Sequence, residues 1–127
     1  MKFPRQARIN SKADFRRVFA RPAVSRDRYF KVLSCANGLE YARLGMAVSR
    51  QNCRKATGRN RIKRLVRESF RLNQDLLASP GGLDMVVLPS ALAATMCNKT
   101  LLDSLQDHWR KTSDCARQRS EENRIIQ

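Results

Sequence analysis

Acids are scarce in this chain: 11 Asp and Glu stand against 26 Lys and Arg, a formal net charge of +15 over 127 residues. Histidine is nearly absent, with His108 alone, and no Cys-x-x-Cys occurs among the four cysteines. Each shortage excludes something. Dispersed acids and a lone histidine leave no carboxylate pair, no metal-binding cluster and no activated nucleophile, so nothing here can carry out catalysis unaided. Cys35, Cys53, Cys97 and Cys115 are too widely spaced for a zinc site or a disulfide framework, and free thiols are expected. No apolar run approaches the roughly 18 residues of a membrane span, and Met1 to Arg8 lacks the apolar stretch of a signal peptide. The expectation is a cytoplasmic chain with no membrane partner, and its length fits a single domain over residues 1–127.

What the chain has in abundance is positive charge, unevenly placed. Residues 1–40 carry a net +7, residues 41–75 a net +8 and residues 76–127 a net 0. Such asymmetry points to a polyanionic partner. Its densest part runs from Lys55 to Arg71. On a helix, Ile62, Leu65, Val66, Ser69, Phe70, Leu72, Leu76 and Leu77 fall on one face, and Asn60, Lys63, Arg64, Arg67, Glu68 and Arg71 on the other. Thr57 is placed to cap that helix, and the row from Asn60 to Arg71 spans about 16 Å, enough for several backbone phosphates. Bases crowd its first turns, against the helix dipole, an arrangement that an external polyanion would favour. A solvated, salt-bridged face is the plainer reading, yet Glu68 is the only acid between Lys55 and Arg71.

Elsewhere the pattern is legible in pieces. Ser11 to Asp14 has capping-box spacing, and Phe15, Val18 and Phe19 follow at helical intervals up to about Ala20. Two aromatics at that spacing read first as core residues; beside Arg16 and Arg17 they also suit RNA, as stacking faces among phosphate-binding charges. Arg28 to Ala36 and Arg43 to Ser49 read as an antiparallel pair joined through Asn37-Gly38, with Arg50 to Lys55 as a loop or turn. Ser79-Pro80-Gly81-Gly82 is a breaker before a buried strand, Leu83 to Leu88, which Pro89 should end early. Lys99 to about Thr112 is a packing helix through Leu101, Leu102, Leu105 and Trp109, His108 is structural, and the tail from Cys115 to Gln127 is expected to fray.

Arg59-Asn60-Arg61, Ile62-Lys63-Arg64 and Arg67-Glu68-Ser69-Phe70-Arg71, with Asp14-Phe15-Arg16-Arg17-Val18-Phe19, Gly45 to Arg50 and Asp84 to Leu88, resemble the bacterial ribonuclease P protein component over about residues 3 to 113. The resemblance implies an α+β fold: a single-domain α-β sandwich with a small, mainly antiparallel sheet, three helices and a left-handed β-α-β crossover, where general sterics favour the right-handed form. It also implies that an RNA subunit is the catalyst, cleaving precursor tRNA at its 5′ end. Arg59, Asn60, Arg61, Lys63, Arg64, Arg67 and Arg71, with Lys55 and Arg54, would hold that RNA. Phe15, Phe19, Arg16 and Arg50 would hold the 5′ leader of precursor tRNA. No catalytic residue, metal ligand, cofactor motif or protein partner is implied for this chain, and Mg2+ would come through the RNA. Leu33, where an aromatic often stands, and Pro89 depart from the family pattern. The competing readings are a ribosomal-type RNA-binding protein or RNA chaperone, and a DNA-binding protein with its basic helix in a major groove.

Overall fold

The computed structural model describes residues 8–9, 11–78 and 82–126, Ala78 and those from 119 onward by backbone alone. Most of the breaker expected at Ser79 to Gly82 lies outside them. Four strands, β1 (Ala23–Arg26), β2 (Phe30–Ala36), β3 (Arg43–Met46) and β4 (Leu83–Pro89), form one sheet in the order β1-β2-β4-β3. The near-continuous apolar run of β4 is what a central strand covered on both faces requires. β4 pairs antiparallel with all of β2, from Phe30 opposite Pro89 to Ala36 opposite Leu83, and parallel with β3, from Arg43 opposite Asp84 to Met46 opposite Val87.

This corrects the expected pairing of β2 with β3, because β4 lies between them. The segment after β2 does not close a hairpin. Its backbone turns instead onto Gly82, whose N–H donates to the Leu39 carbonyl at 2.9 Å while the Gly82 carbonyl accepts from Asn37 N at 3.1 Å. A Cβ at Gly82 would lie 2.2 Å from Asn37 Oδ1 and 2.5 Å from the Tyr41 carbonyl, so only glycine permits the approach. β1, a four-residue strand too short to stand out in the sequence, pairs antiparallel with β2. Pro89 is the last residue of β4 rather than a reason for it to stop sooner.

Helix α1 (Lys12–Ala20) starts as its sequence predicts, with Ser11 Oγ accepting from Asp14 N at 3.1 Å. It covers one face of the sheet, where Val18 packs with Ile9, Leu33 and Val86. The other face is covered by α2 (Ala56–Leu72), the short α3 (Gln74–Ala78) and α4 (Asn98–Ile126). There Ile62, Val66 and Phe70 of α2 meet Leu101, Leu105 and Trp109 of α4 over Val32, Met85 and Val87. Trp109 is fully buried, and its indole N–H donates to Ser69 Oγ at 2.8 Å, which is why a serine sits on the apolar face of α2. Leu72, expected on that face, is 68% exposed. The helix stops at Asn73, whose N–H turns back to the Phe70 carbonyl, so Leu76 and Leu77 belong to α3 and one helical wheel cannot be carried through. Four α-helices and a 3-10 turn, Ala91–Thr95, thus stand among the described residues in place of three helices, and α4 continues well past Thr112 through the stretch expected to fray.

Two polar clusters lie in this frame. Asp84, fully buried on β4, accepts from Arg43 Nε at 2.8 Å, from Arg43 Nη2 at 2.6 Å, from Asn37 Nδ2 at 2.9 Å and from Arg17 of α1. Those bonds hold the Arg43 guanidinium even more firmly protonated than usual. Arg17, read in sequence as a base beside the aromatics, is thereby a tie between α1 and the sheet.

The second cluster surrounds His108, buried on α4. Its Nδ1 is hydrogen-bonded to Ser25 Oγ at 2.6 Å, and its Nε2 lies 3.2 Å from Asp27 Oδ2, out of line for a hydrogen bond. Burial pushes the Asp27 carboxyl up, but hydrogen bonds from Ser104 and from the Phe30 and Tyr29 amides, with the nearby His108 ring, outweigh it and hold the carboxyl below its ordinary value. A carboxyl with a lowered folded pKa stabilises fully above its unfolded value and loses that contribution as pH falls through the folded one. The stability gap between the wild type and Asp27→Asn should therefore be constant above about pH 5 and narrow below about pH 4. Urea midpoints measured across that range check this, and a gap that widens on acidification would contradict it.

Candidate nucleic-acid interface

α2 begins at Ala56 with Lys55 as its cap residue and no side-chain cap, so Thr57 does not play the expected role. The side chain that organises this end is Arg59. Its Nη1 donates to the Cys53 and Arg54 carbonyls, both at 2.9 Å, folding the preceding loop onto the first turn. Arg61 is committed inward as well. It donates to Asn98 Oδ1 at 2.7 Å, to the Met96 carbonyl at 3.0 Å and to the Ala94 carbonyl at 3.4 Å, joining α2 to the 3-10 turn and the start of α4. Two of the expected RNA contacts are thus bound to backbone carbonyls, because side chains at positions 59 and 61 project from α2 beside its neighbours rather than away from them.

The outward row is Asn60, Lys63, Arg64, Arg67 and Arg71. Together with Arg8 it borders a hollow of about 380 Å3 along α2. Glu68 also lies there and pairs with Arg71, one helical turn away. A second hollow of about 180 Å3 adjoins the first, sharing Arg8, Lys63 and Arg67 and continuing past Ile9, Phe15 and Met46. The two form one trough, cationic at the α2 end and apolar at the β3 edge. Phe15 is half-buried in it, and its ring rests on Gly45 so closely that a Cβ there would lie 2.8 Å from the ring.

Arg8 was not singled out by the sequence; its only signal was membership of a basic N-terminal stretch. It reaches the trough because its segment extends the sheet edge, bridging in parallel to Leu44 while Ile9 N donates to the Leu44 carbonyl at 3.0 Å. Arg67 is half-buried beside it. Burial and the positive charge of Arg8 both push the Arg67 pKa down. Like charges held together at a partly desolvated position repel, and a bound anion converts that repulsion into attraction.

The remaining expected contacts lie outside the trough. Arg50, Arg54 and Lys55 are exposed on the approach to α2, Arg16 is exposed on α1, and the Phe19 ring is 48% exposed one helical turn from Phe15. All four cysteines are free thiols. Among the described residues no three His, Cys, Asp or Glu side chains gather to hold a metal ion, and no helix is long and apolar enough to cross a membrane.

Comparison with known proteins gives this surface its context. Residues 3–113 match the Ribonuclease P family. The ribonuclease P protein component of Methylococcus capsulatus is 47% identical over 107 residues, covering 84% of this chain and 81% of that one. Its counterpart in Salmonella newport is 38% identical over 115 residues, 91% of this chain and 94% of the other. The structure of the RNase P protein from Thermotoga maritima superposes with a TM-score of 0.72 at 34% identity, covering 82% of this chain and 96% of that one. Agreement in sequence and in fold, across nearly the whole length of those relatives, makes this chain a member of the ribonuclease P protein component family, the protein subunit of a tRNA-processing endoribonuclease.

Proposed function

We propose that the outer face of α2 holds the catalytic RNA of ribonuclease P and that the trough beside Phe15 receives the 5′ leader of precursor tRNA. The observation that carries this is the convergence of Arg8, Lys63 and Arg67 on one rim shared by the cationic and aromatic hollows. Such a rim suits a single strand whose phosphates lie along the arginines while a base stacks on the ring. Phe19, exposed on the same helix face as Phe15, extends that stacking surface. The chemistry belongs to the RNA, with Mg2+ bound there. Two acids among the described residues are already engaged within the chain: Asp84 is sealed between arginines and Asp27 is taken up by amides and Ser104. The protein orients substrate and catalyst in the cytoplasm.

Salt dependence tests the assignment. Each neutralised phosphate contributes about −0.7 to −0.9 to the slope of log affinity against log salt. Lys63→Ala, Arg64→Ala and Arg67→Ala should each reduce the slope by nearly that amount with the fold intact. Arg61→Ala should instead lower stability by about 1 to 3 kcal/mol, as loss of charged hydrogen bonds does, and leave the slope close to wild type. Titrations of the catalytic RNA at several salt concentrations separate the two classes. An Arg67→Ala slope equal to wild type would remove that residue from the interface.

A further inference from the structure

At the sheet edge opposite the trough, β1 and the middle of α4 flank a half-open cavity of about 270 Å3 that the reading above leaves unused. Ser34 and Thr112 line it, each only 4% exposed, and neither hydroxyl has a hydrogen-bond partner among the described residues. Both residues are otherwise packed in, yet neither hydroxyl is sealed from solvent, so two donors are left open to whatever fills the cleft. Ser25 lines the same space, with its hydroxyl already bonded to His108.

Two cations border the cavity from different elements, Arg26 of β1 and Lys111 of α4, and neither makes an ion pair among the described residues. The acids nearby do not compensate them. Asp27 is bound by Ser104 and two backbone amides, Asp107 pairs with Arg110 at 3.8 Å, and exposed Asp114 makes no pair with Lys111. Two open hydroxyl donors and two uncompensated cations lining one cleft suit an oxyanion: phosphate oxygens accept from both kinds of group, while a cation would be repelled.

We propose that the β1–α4 cleft is a second, phosphate-binding site, separate from the α2 trough and independent of its assignment. The order β1-β2-β4-β3 puts three strand spacings, about 14 Å, between the two edges, so a nucleotide in the trough does not occupy the cleft. The phosphate comes either from a free phosphate or phosphomonoester, or from the backbone of a further RNA segment.

The test is a heteronuclear NMR titration of the full chain with inorganic phosphate at constant ionic strength. Saturable shifts are expected at the amides of Ser25, Ser34 and Thr112. Arg26→Ala and Lys111→Ala, both surface changes, should each weaken the binding about fivefold, as loss of one charge-assisted contact does, without altering thermal unfolding. Thr112→Val should weaken it with the charges intact. Shifts confined to α2, or unchanged affinity at the cleft in the Arg26→Ala/Lys111→Ala variant, would overturn the proposal. Titration with the catalytic RNA distinguishes the sources. Weaker RNA binding by Lys111→Ala, with phosphate competing, identifies the RNA backbone; unchanged RNA binding beside a phosphate-responsive cleft identifies the free anion.

Discussion

Asp84→Ala is expected to lower stability by about 3 to 5 kcal/mol, the range seen when one member of a buried ion pair is removed. Asp84 is fully buried and is the acceptor shared by Arg43, Arg17 and Asn37. Without it the Arg43 guanidinium, whose side chain is only 17% exposed, keeps its charge with only Asp14, at 3.3 Å, left to pair it, while Arg17, 41% exposed, can turn to water. Arg17→Ala should therefore cost less than Arg43→Ala. Replacing Asp84 and Arg43 together by leucines should recover part of the loss, because most of the penalty belongs to the charge left under-compensated. Chemical denaturation of the four variants checks the order, and a loss below about 1 kcal/mol for Asp84→Ala would mean that water reaches the site.

The second large effect concerns the aromatics of α1. Stacking of a base on an aromatic is worth about 1 to 3 kcal/mol, so Phe19→Ala should weaken precursor tRNA binding to the holoenzyme by roughly 5- to 150-fold. Its ring is 48% exposed, so stability should hardly change and mature tRNA, which lacks a leader, should bind as before. Phe15→Ala should reduce both stability and leader binding, because that ring also packs against the cluster of Ile9, Leu33 and Val86. Gly45→Ala separates the two roles. The added methyl meets the far end of the Phe15 ring, which can swing aside at small cost to the fold, yet the stacking surface moves. Affinities for the two tRNAs beside thermal unfolding decide the matter. Equal weakening toward both tRNAs in Phe19→Ala would sink the leader assignment.

The helices were legible in the sequence because their signals are local. Ser11 capped α1 as its spacing announced, and Ile62, Val66, Ser69 and Phe70 face the core as the helical period required. Strand order was not legible, since β2, β3 and β4 present similar apolar stretches and only the tertiary fit of Gly82 against residues 37–41 decides which pair. The site was half legible for the same reason. The count of cations on α2 is local information, but Arg59 and Arg61 differ from Lys63 and Arg67 only through the carbonyls that happen to lie beside them. Asp84, one acid in an apolar run, gave no hint of its partners, which are separated from it by 41, 47 and 67 residues.

The order β1-β2-β4-β3 also dictates the sequence in which the molecule can be completed. β2 and β3 each border the central strand, and that strand is the last of the four to leave the ribosome. Until residues 83–89 emerge, both have an unpaired edge, and the parallel pairing of β3 closes a loop containing all of α2 and α3. Closure over such a distance is slow relative to local helix formation. The basic helix is therefore synthesised, and able to coil, before the surface it packs on exists. A polyanion that meets the nascent chain at that stage encounters the full row of arginines, including Arg59 and Arg61, before their carbonyl partners have captured them.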